Sequence, residues 1–288
     1  MNQAERLQQS PAIFRRLTGL SVGEFRRLLA ELQSRAQQDQ QRRSSRADRQ
    51  RQPGAGRPFT LPLADRLLML LIYYRTYVTH AFLAFLFGVD DSTVCRNLRR
   101  LEPLLAQIFR IPEKKISLTE DEIEEAFFDA TEQPTNRPQR KQKAYYSGKK
   151  KRHTLKHQVV VVRKKKKRGQ KKQKVRIVAV SEAAKGSKHD KKLYDEARME
   201  LPPDVEGTGD SGYQGTKLKT PKKKPRGGKL TAPQKEANRQ LSRKRIAAEH
   251  GIGKMKIWRI TADKYRNPRR RHTLIVKNVV GLHNRMFG

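Results

Sequence analysis

A single cysteine in 288 residues, Cys95, leaves no partner for an internal disulfide and no ligand set for a cysteine-based zinc site. It reads as a small helix residue. Long apolar runs are missing as well: the longest, 67–74, falls far short of the ~20 residues that span a bilayer. No apolar leader stands among the polar, Gln- and Arg-rich first residues, so a soluble cytoplasmic protein is expected. Acids are scarce. Asp and Glu number 28 against 66 Lys and Arg, giving a formal net charge of +38 and a pI near 10.8. A surface this positive repels itself unless it meets a polyanion, so nucleic acid is the expected partner. A ribosomal or histone-like protein would share that charge, but such chains rarely place isolated acids in apolar strands.

The length leaves room for one mid-sized domain and a smaller one. The most unusual stretch is Glu206-Gly-Thr-Gly-Asp-Ser-Gly-Tyr-Gln-Gly215, a glycine-rich bend carrying one acid, Asp210. It also spells G-x-G-x-x-G through Gly207, Gly209 and Gly212. A dinucleotide site needs a helix opening at the third glycine and a ribose-binding acid about 20 residues on. Here 216–229 follows, dense in Lys and Pro, with neither. The alternative is that Asp210 belongs to a set of carboxylates.

Upstream, Ser21 and Glu24 have capping-box spacing, and Phe25, Leu28, Leu29 and Leu32 recur at helical intervals, so 1–34 holds one amphipathic helix. The Gln/Arg/Ser-rich run 33–56 reads as a linker or basic arm. Leu63, Leu67, Leu70 and Leu71 mark a buried helix over 62–74. Thr79 opens a short helix that Gly88 stops, and Asp90 offers an N-cap for a third helix with Val94, Leu98, Leu101 and Leu105 inside. Its outer face presents Arg96, Asn97, Arg99 and Arg100, which resembles a helix-turn-helix meeting DNA; an ordinary three-helix bundle with a solvated basic face is the plainer reading. Arg57 stands where it could reach a minor groove.

Beyond Pro112 the period changes to that of strands. The run 124–131 is an apolar strand ending on Asp129, 157–163 and 175–181 form a hairpin, 187–201 is a helix, and 217–221 a short strand. Helices follow over 231–250 and 273–286. Basic clusters lie at 137–152, 163–174, 217–229 and 264–271. The order predicts an α/β domain, a mixed sheet with helices on its faces, in which Asp129 and Asp210 sit beside each other at strand ends. A third acid should come from a helix crossing those ends. Glu249, one turn after Arg245, qualifies; Glu236, early in the same helix, competes. Carboxylate oxygens are what hard divalent cations need.

Five pieces in order carry a resemblance: Phe128-Asp-Ala-Thr-Glu132, Tyr146-Ser-Gly-Lys-Lys-Lys-Arg-His-Thr-Leu-Lys156, Gly186-Ser-Lys-His-Asp190, Gly209-Asp-Ser-Gly-Tyr-Gln-Gly215 and Arg245-Ile-Ala-Ala-Glu249. Together they resemble the DDE transposases of bacterial insertion sequences, in the branch related to Harbinger-type nucleases, over about 57–288. Ala130 stands where that family commonly has glycine. The resemblance implies a ribonuclease-H-like catalytic fold at 111–288 and a helix-turn-helix at 57–110; the N-terminal helix and basic linker at 1–56 carry none of its motifs. It implies Asp129, Asp210 and Glu249 as catalytic and metal-binding acids, with two Mg²⁺ or Mn²⁺ ions per site and no other cofactor. Arg245, Lys254 and Lys256 join Arg96, Asn97, Arg99 and Arg100 as expected DNA contacts. His189 and Asp190 could reach the metals, although a capping Asp is the blander role, and Trp258 is most simply core. Partners would be the element's ends, target DNA and a second subunit or more. Two rivals keep the same residues: a domesticated nuclease that cuts without joining, and a repressor with an inert catalytic domain.

Overall fold

A computed structural model describes residues 2–48, 50, 52, 59–116, 118–165 and 175–287. The chain forms two compact units, Met1–Arg110 with Trp258–Ile260, and Ile111–Ile257 with Thr261–Gly288. Arg57 and most of the 163–174 basic cluster lie outside the described residues.

The first unit is helical: α1 (Gln3–Gln8), α2 (Pro11–Thr18), α3 (Val22–Ser44), α4 (Leu63–Thr76), α5 (His80–Phe87) and α6 (Asp91–Phe109). Three helices thus precede residue 45 where the pattern predicts one. Ser21 caps α3 by accepting the Glu24 N–H at 3.2 Å, but the helix runs on past Gln33 to Ser44. Gln, Ala and Arg are good helix formers, and buried Asp39 pairs with Arg42 at 2.9 Å and Arg43 at 2.7 Å to hold the last turns. The whole run 67–74 is buried in α4. Asp65, also buried, accepts the backbone N–H of Ala4 at 2.7 Å and of Gln3 at 3.3 Å, which stitches α1 to α4. Thr79 caps α5 through the Phe82 N–H at 3.2 Å, and Gly88 ends it in the left-handed region at φ 62°. The inner face of α6 is as expected, with Val94, Leu98, Leu101 and Leu105 all buried.

The second unit is a curled mixed sheet with flanking helices, the ribonuclease-H-like arrangement expected. Its elements are β1 (Ile123–Pro134), the single turn α7 (Gln142–Tyr145), β2 (Tyr146–Ser147), β3 (Arg152–Lys164), β4 (Val175–Val180), β5 (Ala184–Lys185), α8 (Asp190–Ala197), β6 (Gly207–Thr208), α9 (Ala232–Met255), the last two residues of the single turn α10 (Arg259–Ala262), and α11 (His272–Phe287). Sheet order is β2-β3-β1-β6, with β4 and β5 also paired to β3. The long antiparallel β1–β3 ladder runs from Ile123 opposite Lys164 to Pro134 opposite Thr154. Asp129 therefore lies in mid-strand, not at the strand's end, because 130–134 keep their pairing with β3. What ends near Asp129 is β6. It pairs in parallel with β1 over two residues only, Ala126 with Gly207 and Phe127 with Thr208. The strand expected at 217–221 shrinks to one bridge between Thr208 and Lys219.

One face of the sheet buries Ala126, Phe128, Val160, Val162 and Ala179 with Tyr213 and Leu218. The other buries Phe127, Val159 and Val161, and Gly251 of α9 lies close to Val161 and Val175. α8 stops at Ala197, short of 201, where Arg198 turns left-handed ahead of Pro202 and Pro203. α9 starts at a Thr231–Gln234 capping box and runs five residues past His250. A polar chain ties α11 down: His157 Nδ1 pairs with Ser181 O at 2.7 Å, His157 Nε2 with His272 Nδ1 at 2.7 Å, and His272 Nε2 with Gln133 Oε1 at 2.8 Å.

Two glycines make opposite predictions. A Cβ on Gly207 would stand 2.6 Å from Leu218 and 2.9 Å from the Phe128 ring, inside a filled core. Gly207→Ala should lower stability by about 1–3 kcal/mol through overpacking. Gly253, within α9, has open space around it, so Gly253→Ala should raise stability by about 0.5–1 kcal/mol. Urea denaturation of both variants checks the pair; a neutral Gly207→Ala would mean that β6 yields easily.

Candidate active site

Extending the β1–β6 register by two residues sets Asp129 level with Asp210 on the neighbouring chain segment. Each carboxylate is held locally. Asp129 accepts the Ala130 N–H at 2.8 Å. Asp210 accepts the Gly212 N–H at 2.8 Å and so caps the short turn Ser211–Tyr213. Burial pushes the Asp129 carboxyl above the usual carboxylate range; the Ala130 N–H and Arg245 pull it back, and the charges of Asp210 and Asp190 push it further up. The Asp129 carbonyl accepts Gln158 Nε2 at 3.1 Å, and Gln158 Oε1 accepts the Tyr213 hydroxyl at 3.0 Å. Tyr213 is fully buried. It braces the backbone beneath Asp129 through Gln158.

A second group of charges adjoins the pair. Asp190 is the first residue of α8, which His189 caps, so its carboxylate serves no capping role. Instead Asp190 Oδ1 accepts Lys156 Nζ at 3.0 Å, and the same ammonium reaches Glu132 Oε1 at 3.0 Å and Lys188 O at 2.9 Å. Its other oxygen faces Gly212: a Cβ there would lie 3.2 Å from Asp190 Oδ2 and 2.9 Å from Asp210 Oδ1. Burial alone would lower Lys156, but Asp190 and Glu132 hold it above the ordinary lysine value. Burial alone would raise Glu132, and its bonds from Lys156, Ser147 and Thr154 bring it below the usual range.

α9 contributes a mixed set. Leu241, Ala248, Ile252 and Met255 are its buried stripe, and Arg245, 16 % exposed, lies along it. Glu249 is 59 % exposed, with its carboxylate 3.9 Å from Arg245. Arg245 thus has Glu249 beside it and acts on Asp129 as well. Glu236 is exposed in the first half of α9 and accepts a bond from Gln240. Lys256, at the end of α9, is near enough to feel Asp129 and Glu132; crowding by protein and by Lys150 lowers its ammonium, and the two acids oppose that. Lys254 acts on His283 of α11 instead. Among the described residues no group of three acids, histidines or cysteines is placed to hold a metal ion. Asp129 and Asp210 supply the hard oxygen donors a divalent cation needs; Glu249 does not join them in this structure.

The sequence profile of the DDE superfamily endonuclease matches residues 128–284, and that of the helix-turn-helix of DDE superfamily endonucleases matches 59–111. The chain belongs to the DDE superfamily endonucleases. It is 33 % identical over 247 residues to a probable transposase for insertion sequence element IS702 of Microchaete diplosiphon, covering 83 % of this chain and 86 % of that one. A protein of Streptomyces albus G that carries the name of a transposase for insertion sequence element IS112 is 29 % identical over 210 residues, 72 % of this chain and 74 % of its own length. No solved structure matches.

In this DDE endonuclease the region matched by the helix-turn-helix profile, 59–111, holds α4, α5 and α6. Of the four polar residues expected on the outer face of α6, Arg96 and Arg99 are exposed. Arg96 Nη2 donates to Ser92 at 3.2 Å and Thr93 at 3.1 Å. Arg100 is half-buried, its guanidinium 4.6 Å from the centre of the Phe59 ring. Asn97 is not on that face. It is 5 % exposed and accepts Arg66 Nε at 2.9 Å, because it falls three residues after Val94 on the buried stripe. Trp258 is fully buried, as a core residue should be. No helix among the described residues is long and apolar enough to cross a membrane.

Sequence reasoning passed over Lys156, Glu132 and Gln158. One signal was available: a lysine and a glutamine inside the apolar strand that holds Leu155 and Val159 need buried partners.

The raised Asp129 carboxyl makes a stability prediction. A group whose folded value lies above its unfolded one contributes stability fully present below the unfolded value, near ~3.9, and lost as pH rises through the folded value. At pH 7 to 8 an ionised Asp129 is therefore a burden on the metal-free fold. Asp129→Asn keeps the shape without the charge and should melt higher than wild type in EDTA, with the gap closing as pH falls. About 1 kcal/mol corresponds to ~2–4 °C at this chain length. A variant that melts lower at pH 8 would mean that Arg245 and the Ala130 N–H outweigh burial.

Proposed function

We propose that the chain is an insertion-sequence transposase that binds the terminal inverted repeats of its own element, cuts phosphodiesters there and joins the freed 3′-OH ends to target DNA. In this reading 57–110 recognises the ends, 111–288 carries the chemistry, and 1–56 is an N-terminal helix and basic linker region. Asp129, Asp210 and Glu249 form the catalytic set. The observation that carries the proposal is the parallel β1–β6 register, which supports a pair of carboxylates on adjacent chain segments with the base-rich end of α9 alongside.

Two Mg²⁺ or Mn²⁺ ions, held by those three acids, would activate the attacking water or 3′-OH and relieve charge on the leaving oxygen. The rest is work for the chain's own groups. Asp129, braced through Gln158 and Tyr213, offers oxygens whose direction is set before substrate arrives. Arg245 has two charges to serve, Asp129 and Glu249. A backbone phosphate arriving at Arg245 would compete for its guanidinium and free Glu249 to turn toward the pair. Lys256, beside Asp129 and Glu132, suits the flanking phosphates. Lys254, in the last turn of α9, adds a further contact to DNA. A homodimer or larger synaptic assembly would hold two ends at once, and a nucleoid-associated life in the cytoplasm follows from the DNA partner.

Glu249's exposed position favours one rival, a helix-turn-helix binding protein whose catalytic unit is inert. Duplexes carrying the element's ends, incubated with Mg²⁺, Mn²⁺, Ca²⁺ or EDTA, separate the readings. Wild type should cut in Mg²⁺ or Mn²⁺ and not in EDTA. Asp129→Asn, Asp210→Asn and Glu249→Gln should each fall to background while DNA binding survives, and Glu236→Gln should keep its activity. Precut ends with a free 3′-OH should give covalent joints to a plasmid. Cutting without joints would make the protein a nuclease, and no cutting under any metal would leave the inert binder.

A further inference from the structure

The two buried histidines that tie α11 to the sheet stand in a chain of contacts that two neutral rings cannot complete. His157 of β3 and His272, the first residue of α11, are each 1 % exposed. Their outer nitrogens face oxygens that cannot donate. His157 Nδ1 lies 2.7 Å from Ser181 O, a backbone carbonyl. His272 Nε2 lies 2.8 Å from Gln133 Oε1. That side-chain amide cannot be turned over, because Gln133 Nε2 donates to Asp263 O at 2.7 Å, and a reversed amide would set oxygen against oxygen. Both outer nitrogens therefore carry hydrogen.

A neutral imidazole has one N–H. With the outer positions filled, two neutral rings would leave bare lone pairs on His157 Nε2 and His272 Nδ1, which stand 2.7 Å apart. The ring planes are 10° from parallel, with centroids 4.8 Å apart. A nitrogen separation that short is closer than stacked faces permit, so the rings meet edge to edge. The in-plane lone pairs would then point straight at each other. One further proton turns that repulsion into a short, charge-assisted hydrogen bond.

We propose that His157 and His272 share one extra proton, and that this buried imidazole–imidazolium bridge is a pH-set latch between α11 and the sheet. The charge belongs chiefly to His157, which donates to a carbonyl; His272 opens α11, where the helix dipole disfavours a cation. Burial pushes both rings down, His157 to about 4, and so keeps a second proton out. Lys277 of α11 lowers His157 further and Glu113, ahead of β1, opposes it; these two are paired with each other at 2.7 Å. Around the pair, β1 presents Thr131 and Gln133, and Tyr265 sets its ring perpendicular to that of His272. Exposed Glu182 and half-buried Arg271 are the next charges along the chain from Ser181 and His272. Lys156 and Glu132, each one residue along its strand, point to the opposite face and bond each other.

The test uses the full chain, labelled with nitrogen-15 and free of metal, at about pH 7. Long-range nitrogen–proton spectra, assigned through each ring's own Cβ, count the ring N–H groups directly. Three are expected, two on His157 and one on His272. A total of two, one per neutral ring, overturns the proposal, and so does a total of four. Urea denaturation of wild type and His272→Gln from about pH 5 to 9 reads the latch itself. In the unfolded chain both histidines titrate near ~6.5. The shared proton is held above that value in the folded chain, so its stabilisation is fully present below ~6.5 and lost as pH rises through the folded value. The ratio of the wild-type unfolding constant to that of the variant should stay level below ~6.5, then rise about tenfold per pH unit until the bridge opens. A ratio independent of pH, which a merely structural contact would give, overturns the latch. If His272→Gln does not fold, the N–H count in wild type decides.

Discussion

Two backbone pairs, Ala126 with Gly207 and Phe127 with Thr208, carry the arrangement of the second unit. Parallel pairing needs a crossover between the strands, and here the crossover contains β2 to β5 and α8. So brief a ladder has little strength of its own. It is held by what surrounds it: Leu218, Phe128 and Leu201 close so tightly on position 207 that only a residue without a Cβ fits, and the Lys219 N–H donates to Gly207 O at 2.9 Å. Two residues beyond the ladder both chains carry an aspartate. Slipping the register by one would bring Asp129 level with a glycine or a serine and break the pair.

Placing those aspartates side by side runs against electrostatics, and the surroundings show how the fold tolerates it. Asp129 is buried and raised, so it does not ionise as easily as a surface acid. Asp210 spends one oxygen on a turn N–H. Asp190, which would be a third like charge, is bound to Lys156, whose ammonium is shared with Glu132. Arg245 and Lys256 bring positive charge from α9 without forming a close bond to Asp129. The result is a carboxylate pair countered by cations at moderate distance. A tight ion pair would have left no Asp129 oxygen available for anything else.

Much of this was legible from periodicity. The apolar runs 124–131, 157–163 and 175–181 became β1, β3 and β4, the capping residue Ser21 and the helix-opening Thr79 start α3 and α5, and the helix expected over 231–250 is α9. What was not legible came from features with no local signature. A polar run rich in Gln and Arg is a linker or a helix depending on whether a neighbour buries one face, and Leu32 and Asp39 of α3 are buried. Strand ends depend on the partner, so β1 continues past Asp129 because β3 is long enough to pair it. Glu249 was placed by its spacing from Arg245, and spacing is indifferent to which of the two faces the sheet. In the structure it is Arg245.

Asn97 shows how a helical wheel can be read too narrowly. A stripe drawn at Val94, Leu98, Leu101 and Leu105 steps by four, three and four, and it leaves out the residues that a real buried face about 100° wide also covers. Asn97 and Leu104 lie on that face, and both are buried. An asparagine there must be satisfied, and Arg66 supplies the donor. A buried arginine in turn needs somewhere to put its charge, and Phe59 takes one face of the guanidinium. One misassigned residue on α6 therefore leads by required partners to α4 and to the chain just before it. The same logic of following each buried polar group to its partner leads in the second unit from Tyr213 through Gln158 to Asp129. In both units the polar residues inside the apolar pattern, more than those on the basic surface, trace where the chain holds its functional groups.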